Sequence, residues 1–478
     1  MRRREPRSYR ADMATTHQLE RPATASARPR TGVARDTSVD AIRILLLVVV
    51  FALHAMMCGV SMGAAGPVLE NALEERDWFG PVSWVVQIMP LFFIAGGFSS
   101  FHHWRSMRSR GATASDYVRA RLERLVRPAI ALVVVVGGGL VALSLAGLPA
   151  ELVATAGFRI GQPLWFLGVY VAISALVPLM MRAHERAPMA TPAVLLTAVV
   201  AVDVTRMATG VEPIGFLNLI LVWLLVQQLG FHLADGTLDC LDRGALWGMA
   251  GGALAVLATL VVSGSYSPDM FENLNPPTVA LVLLGVAQLA LFQLARPRIR
   301  AWVERADASR LVSTVGERAM TVYLWHMPVL VGLAGLSLVA NASVGLALPE
   351  PLSFEWWATR PLWLGVAAAA VVPVVLVFAR FERTRRRTPA GVRGGLASTR
   401  SASPMPEAPV VESAGWTGSI GWTAVDAVAG VAGVAVLLVT GFGPVSAIVA
   451  LALLTVAMVG SARLVAYTRV AAALRLAP

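Results

Sequence analysis

Lysine is absent from this 478-residue sequence, and all 40 basic residues are arginine. Beside so much alanine, valine and glycine, that points to a GC-biased genome and carries no functional message. Cysteine is nearly absent too. Cys58 and Cys240 alone exclude a disulfide framework and a cysteine-rich metal centre. No P-loop, G-x-G-x-x-G, G-x-S-x-G or H-E-x-x-H occurs. The chain therefore offers no motif for ATP hydrolysis, no soluble hydrolase domain and no metal site. The first forty residues hold no apolar stretch, so no cleavable signal peptide is expected. Rich in Arg, Pro, Ser and Thr, residues 1–40 read as a disordered cytoplasmic tail, within which Met13 offers an alternative start.

What is present is long hydrophobic runs. The composition is 56% hydrophobic and only 14% charged. Length alone would suggest about three soluble domains, but runs of about twenty apolar residues recur, each able to cross a bilayer core of about 30 Å. Spans are expected near 43–63, 81–101, 128–147, 162–181, 189–209, 214–233, 245–264, 277–295, 319–340 and 361–380, then 424–441 and 444–462. The fold class is thus all-α, a polytopic membrane helical bundle. A ten-span core (41–382) is joined to a two-span appendix (424–478) by a flexible linker (383–423) carrying Arg385, Arg386 and Arg387.

The net charge of +11 is distributed by topology. With the N-terminus inside, 36 of the 40 arginines fall on inside segments, and only Arg76, Arg159, Arg206 and Arg360 fall outside. This asymmetry predicts cytoplasmic termini and an even number of spans. It also turns the basic balance away from nucleic acid and toward the lipid bilayer. The 102–127 segment, with seven arginines interleaved by Tyr117, Val118, Leu122, Leu125 and Val126, reads as an interfacial amphipathic helix or a phosphate-binding surface.

Arg43 and His54 are the leading candidates. Eleven helical steps put them on one face, roughly 16 Å apart, with His54 expected near mid-membrane. An ionisable group at that depth marks a site facing the bundle interior, and a neutral imidazole there can take and return a hydroxyl proton. Arg43 would bind phosphate or carboxylate, or anchor at the interface beside Asp40. His326 sits about eight residues inside its span, in Tyr323-Leu324-Trp325-His326-Met327-Pro328, with Pro328 expected to loosen the helix. Trp165, in Leu164-Trp165-Phe166-Leu167, would anchor at the interface or stack on a sugar ring. Asp203 and Arg206, one turn apart, are expected to pair, with an acceptor-orienting role for Asp203 as the sharper reading. Cys58, one turn after His54, reads as a small packed thiol. Gly96-Gly97 reads as a point of close helix approach.

Together these landmarks resemble the membrane acyltransferase-3 family across about residues 36–385. The resemblance rests on Arg43 with His54, on Phe92 to Phe98, on Arg121 through Pro128, on Leu164 to Leu167 and on Tyr323 to Pro328. It implies an integral membrane O-acyltransferase of a bacterial inner membrane. Acyl-CoA, often acetyl-CoA, would be the cosubstrate, with no permanently bound cofactor. The acceptor would be a surface glycan, a lipid-linked sugar or a small molecule. His54 and His326 would be catalytic, and Arg43 would hold the donor phosphates with Arg121 and Arg124. Many relatives continue into a soluble esterase-like domain, where this chain has two further spans. A proton-coupled exporter and a non-catalytic membrane scaffold are the competing readings.

Overall fold

The protein is described by a computed structural model covering residues 36–63, 66–73, 76–305, 308–382 and 416–475. The expected tail through residue 35, the linker with Arg385, Arg386 and Arg387 as far as residue 415, and the acidic Glu74 and Glu75 lie outside the described residues.

The helices are α1 (Thr37–Met57), α2 (Phe79–Val86), α3 (Met89–Arg108), α4 (Ala114–Leu145), α5 (Ala150–Gly161), α6 (Leu164–Arg186), α7 (Ala190–Thr209) and α8 (Asn218–Ala234). They continue as α9 (Arg243–Val262), α10 (Val279–Arg305), α11 (Ser309–Gly316), α12 (Ala319–Val344), α13 (Phe354–Phe378), α14 (Trp416–Thr440) and α15 (Pro444–Arg475). Among the described residues, 11 helical segments are long and apolar enough to cross a membrane, and Pro444–Val459 of α15 is a shorter apolar stretch. The architecture is the expected polytopic helical bundle. Helices suit an apolar solvent because each satisfies its own backbone polar groups.

Three expectations are corrected. The first span does not continue to residue 63. After Met57 the chain turns into an antiparallel hairpin of β1 (Cys58–Gly63) and β2 (Gly66–Asn71), pairing Cys58 with Asn71 and Val60 with Leu69. Gly59, Gly63, Gly66 and Pro67 disfavour helix in this stretch. His54 therefore lies in the last turn of α1 instead of its middle, and Cys58 opens a strand.

The 102–127 segment is not a separate interfacial helix. It comprises the end of α3 and the first turns of a 32-residue α4 that runs on through Pro128. A reciprocal Thr113–Asp116 capping box starts α4, and Tyr117, Val118, Leu122, Leu125 and Val126 are buried in protein. The third correction concerns Asp203 and Arg206, which do not pair. Asp203 accepts from Asn218 Nδ2 and Tyr266 Oη at 2.9 Å each and from the Val279 backbone N–H at 2.9 Å. Arg206 binds Glu212 at 3.2 Å. The carboxylate is drawn to donors on α8 and on the chain entering α10, which a one-turn spacing cannot reveal.

The second span is broken between α2 and α3, just ahead of Pro90, which carries no N–H. Gln288 of α10 repairs the break, donating to the Gln87 carbonyl at 2.8 Å and accepting from the Leu91 N–H at 3.1 Å. Gly97 of α3 meets Gln227 and Gly230 of α8 backbone to backbone, so the Gly-Gly pair serves the expected close approach. α12, by contrast, is continuous through Pro328. α14 packs on α6 and α15 on α4, with Val434 against Gly168 and the Leu437 carbonyl against Gly161.

Candidate functional site

His54 at the end of α1 and His326, about two turns into α12, meet with ring centroids 5.0 Å apart. His326 Nδ1 lies 2.6 Å from the Tyr323 carbonyl oxygen. A carbonyl only accepts, so Nδ1 carries the hydrogen, and a neutral ring then presents a lone pair at Nε2. That Nε2 lies 3.1 Å from His54 Nδ1. His54 must donate from Nδ1, which leaves its own Nε2 unprotonated and available as a base. The inner ring is buried at 1% exposure, whereas His54 is half-buried.

The surrounding contacts join the sequence motifs. Tyr323 Oη donates to the Pro163 carbonyl at 2.6 Å, and its ring meets Phe166 edge-on at 5.1 Å. Phe92 and Phe93 contact the same Phe166 ring at 5.1 and 5.2 Å. Trp363 Nε1 of α13 donates to the Ala55 carbonyl at 2.9 Å, holding the end of α1 beside His54. Four sequence landmarks thus converge on one aromatic junction.

Toward the arginine-rich end, Ser99 and Ser100 of α3 each receive a guanidinium. Arg43 Nη1 reaches Ser99 Oγ at 3.4 Å, and Arg121 Nη2 donates to Ser100 Oγ at 3.0 Å. Arg121 is buried, donates from Nε to Tyr117 Oη at 3.1 Å and lies over that ring at 5.5 Å. Arg124, exposed, stands within electrostatic range of Arg121 and Arg43. Glu382 is a carboxylate within electrostatic range of Arg124. Three guanidinia gathered at this end suit an anion with several phosphates.

Glu382 was not foreseen. Its Oε2 accepts from the Thr321 N–H at 3.2 Å and Oγ1 at 2.8 Å, so it holds the first turn of the helix that carries His326. Burial pushes this carboxyl above the usual range. In sequence it sits in Arg-Phe-Glu-Arg and looks like an ordinary charged span end.

Trp165 and Asp203 each have their own partners. Trp165 is half-buried beside Trp223, at 5.9 Å between centroids, while Asp203 has both oxygens engaged. A cavity of about 370 Å³ opens on the other side of the α1 terminus, lined by Cys58, Leu333, Ser337, Arg360 and Trp363 among others. Arg360 lies 4.3 Å from the Trp356 ring centroid and 5.4 Å from that of Trp363. Burial raises the Cys58 thiol to about 11 against the pull of the Arg360 and Arg159 guanidinia. A thiol raised in this way is protonated at neutral pH.

A bundle of membrane-crossing helices that holds one buried and one half-buried imidazole in contact is an integral membrane protein with a polar interior site. The family model of the acyltransferase-3 type, described as an acyltransferase domain, matches residues 36–380, and the chain belongs to that family. No curated protein and no solved structure matches it.

Proposed function

We propose that the protein is an O-acyltransferase of a bacterial inner membrane with both termini in the cytoplasm. It moves an acyl group, acetyl in the simplest case, from cytoplasmic acyl-CoA to a hydroxyl of an extracytoplasmic glycan, lipid-linked sugar or small molecule. The observation that carries this reading is the hydrogen-bond order from Tyr323 through His326 to His54, which leaves His54 Nε2 as a free base.

The donor's phosphates bind Arg43, Arg121 and Arg124, and its thioester arm runs along α1 toward His54, roughly 16 Å away. The acceptor hydroxyl gives its proton to His54 Nε2 as its oxygen attacks the thioester carbonyl. The C–S bond breaks, and the leaving thiolate recovers the proton from the imidazolium. His326 is a positioning residue: it holds the tautomer without touching substrate. The cavity at Arg360 and Trp363 is the favoured acceptor position, because it adjoins the end of α1 and combines an apolar wall with one guanidinium. Neither Trp165 nor Asp203 is assigned the acceptor in this reading.

The test is binding of acetyl-CoA to the purified full-length protein in detergent. Arg43→Ala should weaken it about 10- to 100-fold, the worth of one charge-assisted hydrogen bond. A protein that binds no coenzyme A would return the proton-coupled exporter as the better reading. Arg360→Met should raise the acceptor KM and leave the acetyl-CoA Kd unchanged; a weakened donor Kd instead would move Arg360 to the donor side.

A further inference from the structure

Away from that site, a second polar cluster joins the ends of two helices. His184 lies in the last turn of α6, His232 in the last turn of α8, and Asp235 caps the C-terminus of α8. One donor atom from each lies within 4.8 Å of the others. Gln228 fixes the protonation pattern. Its Nε2 donates to the Met180 carbonyl at 3.3 Å, which turns Oε1 toward His184 Nδ1 at 3.1 Å. An amide oxygen only accepts, so His184 Nδ1 carries the hydrogen. A neutral His184 then directs its Nε2 lone pair at Asp235 Oδ2, 2.9 Å away.

Two lone-pair atoms at that separation need a positive centre between them, either a proton or a metal cation. The position of His232 bears on the second option. Its buried ring stands 4.7 Å from that of His184, centroid to centroid. Asp235 alone balances an imidazolium, whereas a cation between the pair would find a third ligand in His232. Asp235 Oδ1 is held by the Thr237 N–H at 2.9 Å, leaving Oδ2 for the shared centre.

We propose that His184, His232 and Asp235 form a site for a divalent transition metal, zinc above all, that ties the end of α6 to that of α8. Two imidazoles and a carboxylate are a zinc donor set, with a water in the fourth tetrahedral position. Asp235 lies at the exposed edge, so that position is open to solvent. Gln228 on the far nitrogen of His184 is the outer partner that orients a ligating histidine. Tetrahedral zinc spaces its ligands about 3.3 Å apart. The His184–Asp235 pair is near that spacing, and the remaining separations are within 4.8 Å.

The full-length protein, purified with a histidine-free affinity tag and stripped with EDTA, is titrated with zinc chloride. Bound zinc is then measured by elemental analysis after gel filtration. About one zinc per chain is expected. It should be lost in His184→Asn and in His232→Gln, and kept in the His102→Asn/His103→Asn double variant. Cobalt chloride should give the visible absorption of a tetrahedral site in the parent and not in His232→Gln. That variant is the sharper test, since it leaves the His184–Asp235 pair in place and removes a ring that otherwise meets His184, the Pro188 backbone and, at 3.5 Å, Thr237 Oγ1. A stripped protein that takes up no zinc, or takes it up equally in both single variants, overturns the proposal in favour of a simple imidazolium–carboxylate pair. Acyl transfer does not enter the readout, so this result and that of the coenzyme A experiment are independent.

Discussion

Replacing His54 by alanine abolishes acyl transfer in the expected outcome, while the protein still inserts and elutes as a single species. A positioned general base contributes about 10²–10⁴-fold in rate, and the nitrogen that the substitution frees, His326 Nε2, belongs to a ring buried at 1% exposure. The structural cost is modest. His54 is half-buried, and its loss leaves one unpaired acceptor on His326, worth about 1–3 kcal/mol. Turnover of acetyl-CoA against gel-filtration profile separates the two effects. Parent-like turnover in His54→Ala would remove this imidazole from the mechanism. His326→Asn should fall between the two, with an altered pH–rate profile, because His54 then loses the partner that holds its tautomer.

The second large effect is on folding. A Cβ at Gly230 would overlap the Ile94 carbonyl and the Gly97 and Phe98 backbone, and one at Gly97 would overlap the Gln227 carbonyl. Neither neighbour is a flexible side chain that can swing aside. Gly230→Ala and Gly97→Ala should each cost at least 1–3 kcal/mol, seen as lost monodisperse protein and a lowered melting temperature. Gly332→Ala and Gly335→Ala are the controls, since nothing lies within 4 Å of a Cβ at either. Equal tolerance at all four positions would mean that α3 and α8 are not held at this distance.

How much of this was legible in the sequence depends on the range of the interaction. Gly96-Gly97 announced a close approach, but not that Gln227 and Gly230 supply the other side. Asp203 and Arg206 looked like a pair because spacing along one helix was the only geometry to hand. Their real partners come from Asn218, Tyr266, Val279 and Glu212. The apolar stripe of 117–126 was read correctly as one face, yet its cover is protein and not headgroups. Glu382 gave no signal, since a carboxylate at a span end resembles solvated charge until Thr321 is found beneath it.

The sequence by itself determined the spanning bundle, because twenty apolar residues in lipid have few alternatives to a helix. It determined the shared face of Arg43 and His54 as well, because helical periodicity is local. Only the tertiary structure decided that His54 ends its helix against His326, that Ser99 and Ser100 gather two arginines, and that three donors meet between α6 and α8. Those pairings join residues separated by 21 to 272 positions. No periodicity encodes such contacts; packing of the whole bundle selects them.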